Sequence, residues 1–470
     1  MIRLPIVIAM LLAGTAAAQT NPPPATSKLD DRLASVVARP GGLQANDVAK
    51  RAEETSLSVK SKSQEVLAAE AQVAEAKAAY LPRVELSARY TRTSDTSSGT
   101  IASLVAAPGV PPGPIPAGTQ LENVPLEFPV FLNTYAFEGS LTVPLSDYLL
   151  RLPYGKAAAE YGAQSARENE RASRRKSGLD GRLLYYQWAQ AKLSTVVAEQ
   201  SLEAAREHLD DVKKAANVGV ASNADVMAVE AQVAAAELLL LRTQNLASVQ
   251  ETRLRTTIHD PSDKPYEIGE DLAQPLPPAG ASSVDKDVGV NRPEAKALDQ
   301  AVKAQREQGM IHRAGALPRL DAVANAQYAN PNNRIFPSSD EFNASWDVTL
   351  QLSWTPTDIP TATARRRNAE AKAQSLESQR TALLDGIRVE IAQAQTGVAE
   401  ADAAVQTTAR AVAAAEESYR VRRVLFQNGK ATNVELSDAE TEMTRARLQA
   451  IDARVSQRMA RAQLEFAVGQ

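Results

Sequence analysis

The chain has 470 residues, room for several ordinary domains, yet only 4% are aromatic and alanine supplies much of its 44% hydrophobic content. That mix suits long, closely packed helices better than a thick enzyme core. Lys and Arg total 52 against 56 Asp and Glu, so no basic field exists to recruit nucleic acid, and the absence of Cys excludes disulfides, thiolate nucleophiles and Cys-ligated metals.

In chain order, Met1-Ile2-Arg3, an apolar run over residues 4–12 and Ala16-Ala17-Ala18 read as a Sec signal peptide over 1–18, cleaved before Gln19. The apolar run is shorter than the ~20 residues that span a bilayer as a helix, and no other stretch reaches that length. An exported chain of this kind enters a membrane only through strands. With no Cys near the cleavage site, no lipid anchor is expected. Residues 19–40 are expected to form an extended N-terminal segment.

Proline divides the remainder, because it removes a helical hydrogen bond and clashes with the preceding turn. No Pro lies between Pro153 and Pro261 or after Pro360. The first repeat, 41–260, is expected to hold helices over 41–80, 147–216 and 223–259 and strands over 82–91 and 134–146. Residues 261–293 read as a linker. The second repeat, 294–470, is expected to hold helices over 294–316, 361–428 and 433–468 and strands over 318–328 and 344–356. The Pro- and Gly-containing stretch between the first two strands, 92–133, reads as a loop. A helix over 147–216 would be ~100 Å long, more than a globular domain needs, so the helices are expected to build a coiled-coil or tube-like assembly.

Two internal repeats support this division. Gly219-Val220-Ala221-Ser222-Asn223-Ala224-Asp225-Val226 aligns with Gly429-Lys430-Ala431-Thr432-Asn433-Val434-Glu435-Leu436, an offset of 429 minus 219, or 210. Gly ends one helix, Ser222/Thr432 or Asn223/Asn433 caps the next, and Asp225/Glu435 meets the positive end of the helix dipole. Leu81-Pro82-Arg83 matches Leu317-Pro318-Arg319, and alternation starts after each. The segment Trp346 to Trp354 alternates Trp, Val, Leu, Leu, Trp with Asp347, Thr349, Gln351 and Ser353. Aromatic ends on an aliphatic band, backed by a polar face, are what a transmembrane β-strand needs. Trp346, Trp354, Tyr135, Tyr90 and Tyr328 are the expected membrane-interface aromatics. Four strands cannot close a barrel, so the chain must oligomerise.

The order and duplication of these elements, with Asn291-Arg292-Pro293-Glu294 and Asp438-Ala439 after the second hairpin, resemble the TolC family of outer-membrane efflux and secretion channels. The resemblance covers nearly the whole chain after residue 18. It implies a mainly α fold with β: a homotrimer with a shared twelve-stranded outer-membrane β-barrel, four strands per chain, and a twelve-helix periplasmic α-barrel built from duplicated hairpins. It also implies a passive exit duct for an inner-membrane transporter of RND or ABC type, reached through a periplasmic adaptor, in a tripartite efflux pump or a type I secretion system. Glu435 and Asp438, three apart on one helical face, match the acidic pair at the family's periplasmic constriction. Asp225 and Phe426 are candidates for latching the closed tip, while the family's basic latch position corresponds to Ala431. The tips Gly219, Val220, Ala221 and Gly429, Lys430, Ala431 are the candidate adaptor-docking surface.

Other features read plainly. Arg167, Arg171, Arg174, Arg175 and Lys176 suggest an ion-pairing helix face. His208, His259 and His312 lack metal-ligand spacing, so no metal or cofactor is expected. No phosphate loop, nucleophile elbow or HExxH motif appears, which argues against an enzyme. A periplasmic adaptor is the alternative reading, since adaptors also carry exported coiled-coil hairpins, although one hairpin with compact soluble β-domains would be expected there.

Overall fold

The computed structural model describes residues 28–94, 102–126, 130–273, 276–277 and 288–469. The expected signal peptide and the first residues after it lie outside them. Nine α-helices and six strands follow in chain order among the described residues: α1 (Lys28–Val36), α2 (Ala45–Thr55), α3 (Leu57–Ala78), β1 (Arg83–Arg92), β2 (Ala102–Ala106), β3 (Glu122–Leu126), β4 (Asn133–Val143), α4 (Asp147–Leu150), α5 (Leu152–Asn217), α6 (Asn223–Thr257), α7 (Pro293–Ala314), β5 (Arg319–Asn330), β6 (Asn343–Ser353), α8 (Ile359–Gln427) and α9 (Asn433–Ala467). No helix is long and apolar enough to cross a membrane among the described residues. The chain divides into two compact units. One holds Met1–Arg51, Asp180–Ala281 and Thr396–Gln463; the other holds Ala52–Leu179, Ser282–Gln395 and Leu464–Gln470. Helices α2, α5, α8 and α9 contribute to both.

Four elements differ from expectation, each for a local reason. Part of the segment expected as extended, 19–40, is helix α1, because Leu33 and Val37 find a core to enter. The helix expected over 41–80 is two helices, broken at Ser56, whose backbone (φ −55°, ψ 130°) is not helical and whose hydroxyl meets those of Ser58 and Ser177. The helix expected over 147–216 is interrupted at Arg151, just ahead of Pro153, which cannot continue the previous turn. The stretch 92–133, expected as loop, contains the antiparallel pair β2–β3, with Leu104 opposite Val124.

The first unit is helical. Its core surrounds Trp188, which is fully buried with Tyr185 and Tyr266 against its ring. Leu33 and Val37 from the N-terminal segment, Val48 of α2, Leu254 and Ile258 at the end of α6, and Ile451 and Val455 of α9 complete it. The segment after α6 is strapped over this core. Leu43 bridges Ile268 in parallel, Arg454 donates to the Ala273 carbonyl, and Gln457 binds both the Leu276 backbone and Asp402. Burial pushes the Tyr185 hydroxyl far above its ordinary value, with nearby Glu270 adding to the effect.

The second unit carries an antiparallel sheet in the order β1-β4-β5-β6. Tyr135 of β4 faces Asn330 of β5, which joins strands of the two repeats, and Arg319 of β5 faces Ser353 of β6. The outer edges of β1 and β6 have no strand partner among the described residues. Around α5, Arg167 pairs with Glu70 of α3, while Arg171 and Arg174 pair along their own helix. Arg292, buried just before α7, holds Glu390 and Glu294 and lies over the Phe466 ring, 4.9 Å from its centroid. The motif containing Arg292 thus ties α7, α8 and the end of α9 together.

Candidate functional site

Two places on the chain bear on function: the apolar face of the sheet and the turns of the two helical hairpins. Period-two alternation puts Leu86, Phe137, Leu141, Trp346, Val348, Leu350 and Leu352 on one face, and all of them are exposed. Leaving such a face in water would be costly, and lipid is the medium that removes the cost. Tyr90, Tyr135, Tyr328 and Trp346 are on it and exposed, and Trp354, one residue past the end of β6, is exposed as well. Sequence reasoning missed that Phe342 completes an aromatic cluster: its ring lies 6.0 Å from Tyr135, 6.5 Å from Phe137 and 5.2 Å from Tyr328. Tyr90 extends the row to 5.1 Å from Tyr135. The opposite face is polar and its charges pair: Arg83 with Glu85, Arg89 with Glu138, Arg319 with Asp321, and Arg334 with Asp347.

The hairpin turns are built alike. Helix α5 ends where Gly219 takes φ +76°, and Val220 N–H donates to the Ala215 carbonyl at 2.9 Å. Helix α8 ends where Gly429 takes φ +70°, and Lys430 N–H donates to the Leu425 carbonyl at 2.8 Å. An L side chain rarely adopts this backbone, so Gly is the residue that closes each helix. Each following helix opens with a reciprocal cap. Asp225 Oδ2 accepts from Ser222 N–H (2.9 Å) and from its hydroxyl (2.7 Å), while Asp225 N–H donates back to the Ser222 oxygen. Glu435 Oε2 accepts from Thr432 N–H (2.8 Å) and hydroxyl (3.0 Å) in the same manner. The Ser222 hydroxyl holds the Asp225 carboxyl below its usual range, and the Thr432 N–H does so for Glu435.

The site residues read from the sequence are therefore only partly brought together. Glu435 and Asp438 are both exposed at the start of α9, and Arg422 approaches Glu435 at 3.9 Å. The Asp225 carboxylate is used by Ser222, whereas Phe426 sets its ring edge-on against His208, 5.5 Å between centroids and 81° between planes. Gly219, Val220, Gly429 and Lys430 are exposed at the turns, with Ala221 and Ala431 half-buried. Around them lie exposed apolar side chains that sequence reasoning did not single out: Val218 and Met227 on one hairpin, Val424, Leu425 and Val434 on the other.

The other omission is polar. His208 of α5 and Glu440 of α9 are buried together, Nδ1 to Oε2 3.3 Å, and Gln232 of α6 donates to the same Oε2 at 2.8 Å. The signal was present in the sequence. Ala205, His208 and Val212, and likewise Leu436, Glu440 and Met443, follow three- and four-residue spacing. A polar residue on a buried stripe marks a built contact. Among the described residues no group of His, Asp or Glu could hold a metal ion.

A family model described as outer membrane efflux protein matches residues 48–258 and 286–470. No curated protein matches the chain. Solved structures do. The chain is similar to CusC, studied for transmembrane channel formation, at 16% identity and TM-score 0.74, covering 91% of this chain and 92% of that one. It is similar to the outer membrane protein VceC from Vibrio cholerae at 16% identity and TM-score 0.71, covering 91% and 97%. The CmeC outer membrane channel of Campylobacter jejuni matches at 12% identity and TM-score 0.72, covering 99% and 94%.

Proposed function

Because the chain belongs to the outer membrane efflux protein family, we propose that three copies of this channel subunit assemble into one conduit, each contributing its four-stranded sheet to a single twelve-stranded barrel. One observation carries the proposal: a sheet with one exposed apolar face, one polar face and two open edges, β1 and β6. In lipid an open edge leaves backbone groups unpaired, and closing β6 of one copy on β1 of the next removes every edge. Three copies of four strands give twelve, above the minimum of about eight for a membrane barrel. The polar face then lines a wet lumen whose charges are already paired. The adaptor alternative is set aside by the family match over both repeats.

A conduit does no bond-making chemistry, so its working parts are a gate and a docking surface. In this proposal Glu435 and Asp438 of each copy form a ring of carboxylates at the hairpin end, attracting cations and narrowing the path. Phe426 steadies the closed end through His208, and Asp225 keeps the start of α6 in place. The turns Gly219, Val220, Ala221 and Gly429, Lys430, Ala431, ringed by exposed Val218, Met227, Val424 and Val434, receive the hairpin of a periplasmic adaptor, and apolar contact supplies most of the affinity. The adaptor links the channel to an inner-membrane transporter of RND or ABC type, which provides the energy. Export through a cleaved N-terminal signal without lipidation accords with a chain that has no Cys.

The test is the mass of the detergent-extracted membrane species and its conductance in planar bilayers. A trimer with small, cation-preferring current that grows in E435Q/D438N supports the reading. A soluble monomer without current would refute it.

A further inference from the structure

The hairpin α5–α6 meets the hairpin α8–α9 through two kinds of contact. Some of these are exposed or long: Arg423 to Glu207 at 2.8 Å, with both side chains more than a third exposed, and, nearer the turns, Gln427 to Asp211 at 3.5 Å and Asn433 to the Asp225 carbonyl at 3.5 Å. Water competes directly for such bonds, and they hold weakly. Deeper in, the contact changes character. His208 and Glu440 are 4% and 2% exposed, Glu440 is shared between His208 and Gln232, and Phe426 covers the imidazole edge-on. This single cluster joins α5, α6, α8 and α9.

Its level along the hairpins is matched. Gly219 minus His208 and Glu440 minus Gly429 are both 11 residues, so α5 and α9 each run ~16 Å between the pair and the turn, while Phe426 reaches the imidazole from the last turn of α8. Parting the hairpins at the turns breaks long or exposed bonds and uncovers apolar side chains such as Val212 and Leu436, which lose no polar partner, whereas parting them at this level separates a buried carboxylate from its donors. The energetics are nonetheless balanced enough to be reversible. Glu440 Oε1 and His208 Nε2 have no protein partner among the described residues. Water reaching the pair on separation would satisfy these atoms and offset part of the lost bonds.

We infer that His208 and Glu440, steadied by Gln232 and Phe426, are the latch holding the two hairpins together in the closed conduit, and that the segments beyond them are the part that swings. The inference rests on the channel reading above and assigns the latch to positions other than the capped acids at the turns. Glu435 and Asp438 then face the permeating ions without holding the hairpins shut.

The chain has no Cys, which makes a test independent of conduction straightforward. In the full-length protein, E207C/R423C exchanges the exposed α5–α8 ion pair for two thiols, and the rate at which a short bifunctional thiol reagent cross-links them reports how closely the hairpins approach. In this background H208L or E440L removes one latch partner and leaves the other buried without it, and cross-linking should slow by about tenfold, the factor equivalent to ~1.4 kcal/mol. The double variant H208L/E440L replaces the polar pair by hydrocarbon and should return to within about twofold of the parent, which a general folding defect would not do. The isosteric E440Q should fall between these. In bilayers the single variants should conduct more than wild type and the double variant should not. Unchanged cross-linking in both single variants, or a double variant slower than either, would overturn the latch. Cross-linking that behaves as expected in a protein carrying no current under any condition would leave the latch standing and remove the channel reading.

Discussion

The apolar face of β6 offers a decisive test of membrane insertion. Trp346 within it and Trp354 just past its end are eight residues apart, which at ~3.3 Å per residue is ~26 Å of extended chain, close to the ~25 Å apolar band of an outer-membrane barrel. Leu350 sits four residues from each Trp and is 70% exposed. L350R therefore places a guanidinium at the depth where lipid penalises it most, ~2–4 kcal/mol per chain, or ~6–12 kcal/mol for three copies sharing one barrel. Thr349 is the control. It is the neighbouring residue, on the opposite face, where its hydroxyl points at Asp347, so T349R should be tolerated. The assay is the fraction of heat-resistant oligomer recovered from outer membranes, followed by urea unfolding from lipid vesicles. The expected result is loss of oligomer for L350R and near wild-type recovery for T349R. Equal recovery of both, or greater damage from T349R, would mean that this face does not meet lipid.

Three further outcomes are expected. G429W, placed where φ is +70° and the surrounding space is open, should abolish transporter-driven export while leaving the oligomer intact; retained export would remove the turn from the docking surface. In the D438N background, Glu435 should preserve cation preference at about pH 4.3, where an ordinary Glu is half protonated, because Thr432 lowers its folded-state value; both its charge and its capping contribution are present above the unfolded value and are lost as pH falls through the lower folded one. Reversal potentials measured from pH 7 downward would expose an error as an early loss of selectivity. G269A should cost about 1–3 kcal/mol in denaturant unfolding, since its Cβ would overlap the Gly42 carbonyl oxygen, side chain against backbone at the Leu43–Ile268 bridge; an unaltered midpoint would show that the bridge yields easily.

Much of the architecture is a local property of the chain and could be read from it. Helices α5 and α8 occupy long stretches where proline is rare, the alternation after Pro82 and Pro318 is strand β1 and strand β5, and the repeated Gly-to-acid motif is a helix stop followed by a capping box at both Ser222 and Thr432. Each depends on residues within a turn or two, where steric exclusion, side-chain period and capping act directly. What only the tertiary structure decided involves partners far apart in sequence. Helix α1 forms where an extended segment was expected because Leu33 reaches the Trp188 core; β4 lies beside β5, joining the two repeats; and Phe342 completes an aromatic row begun at Tyr90. The His208–Glu440 contact spans 232 residues. Each partner alone is a polar residue on an apolar stripe, and a helix's own periodicity shows that such a residue is buried without showing what it meets there.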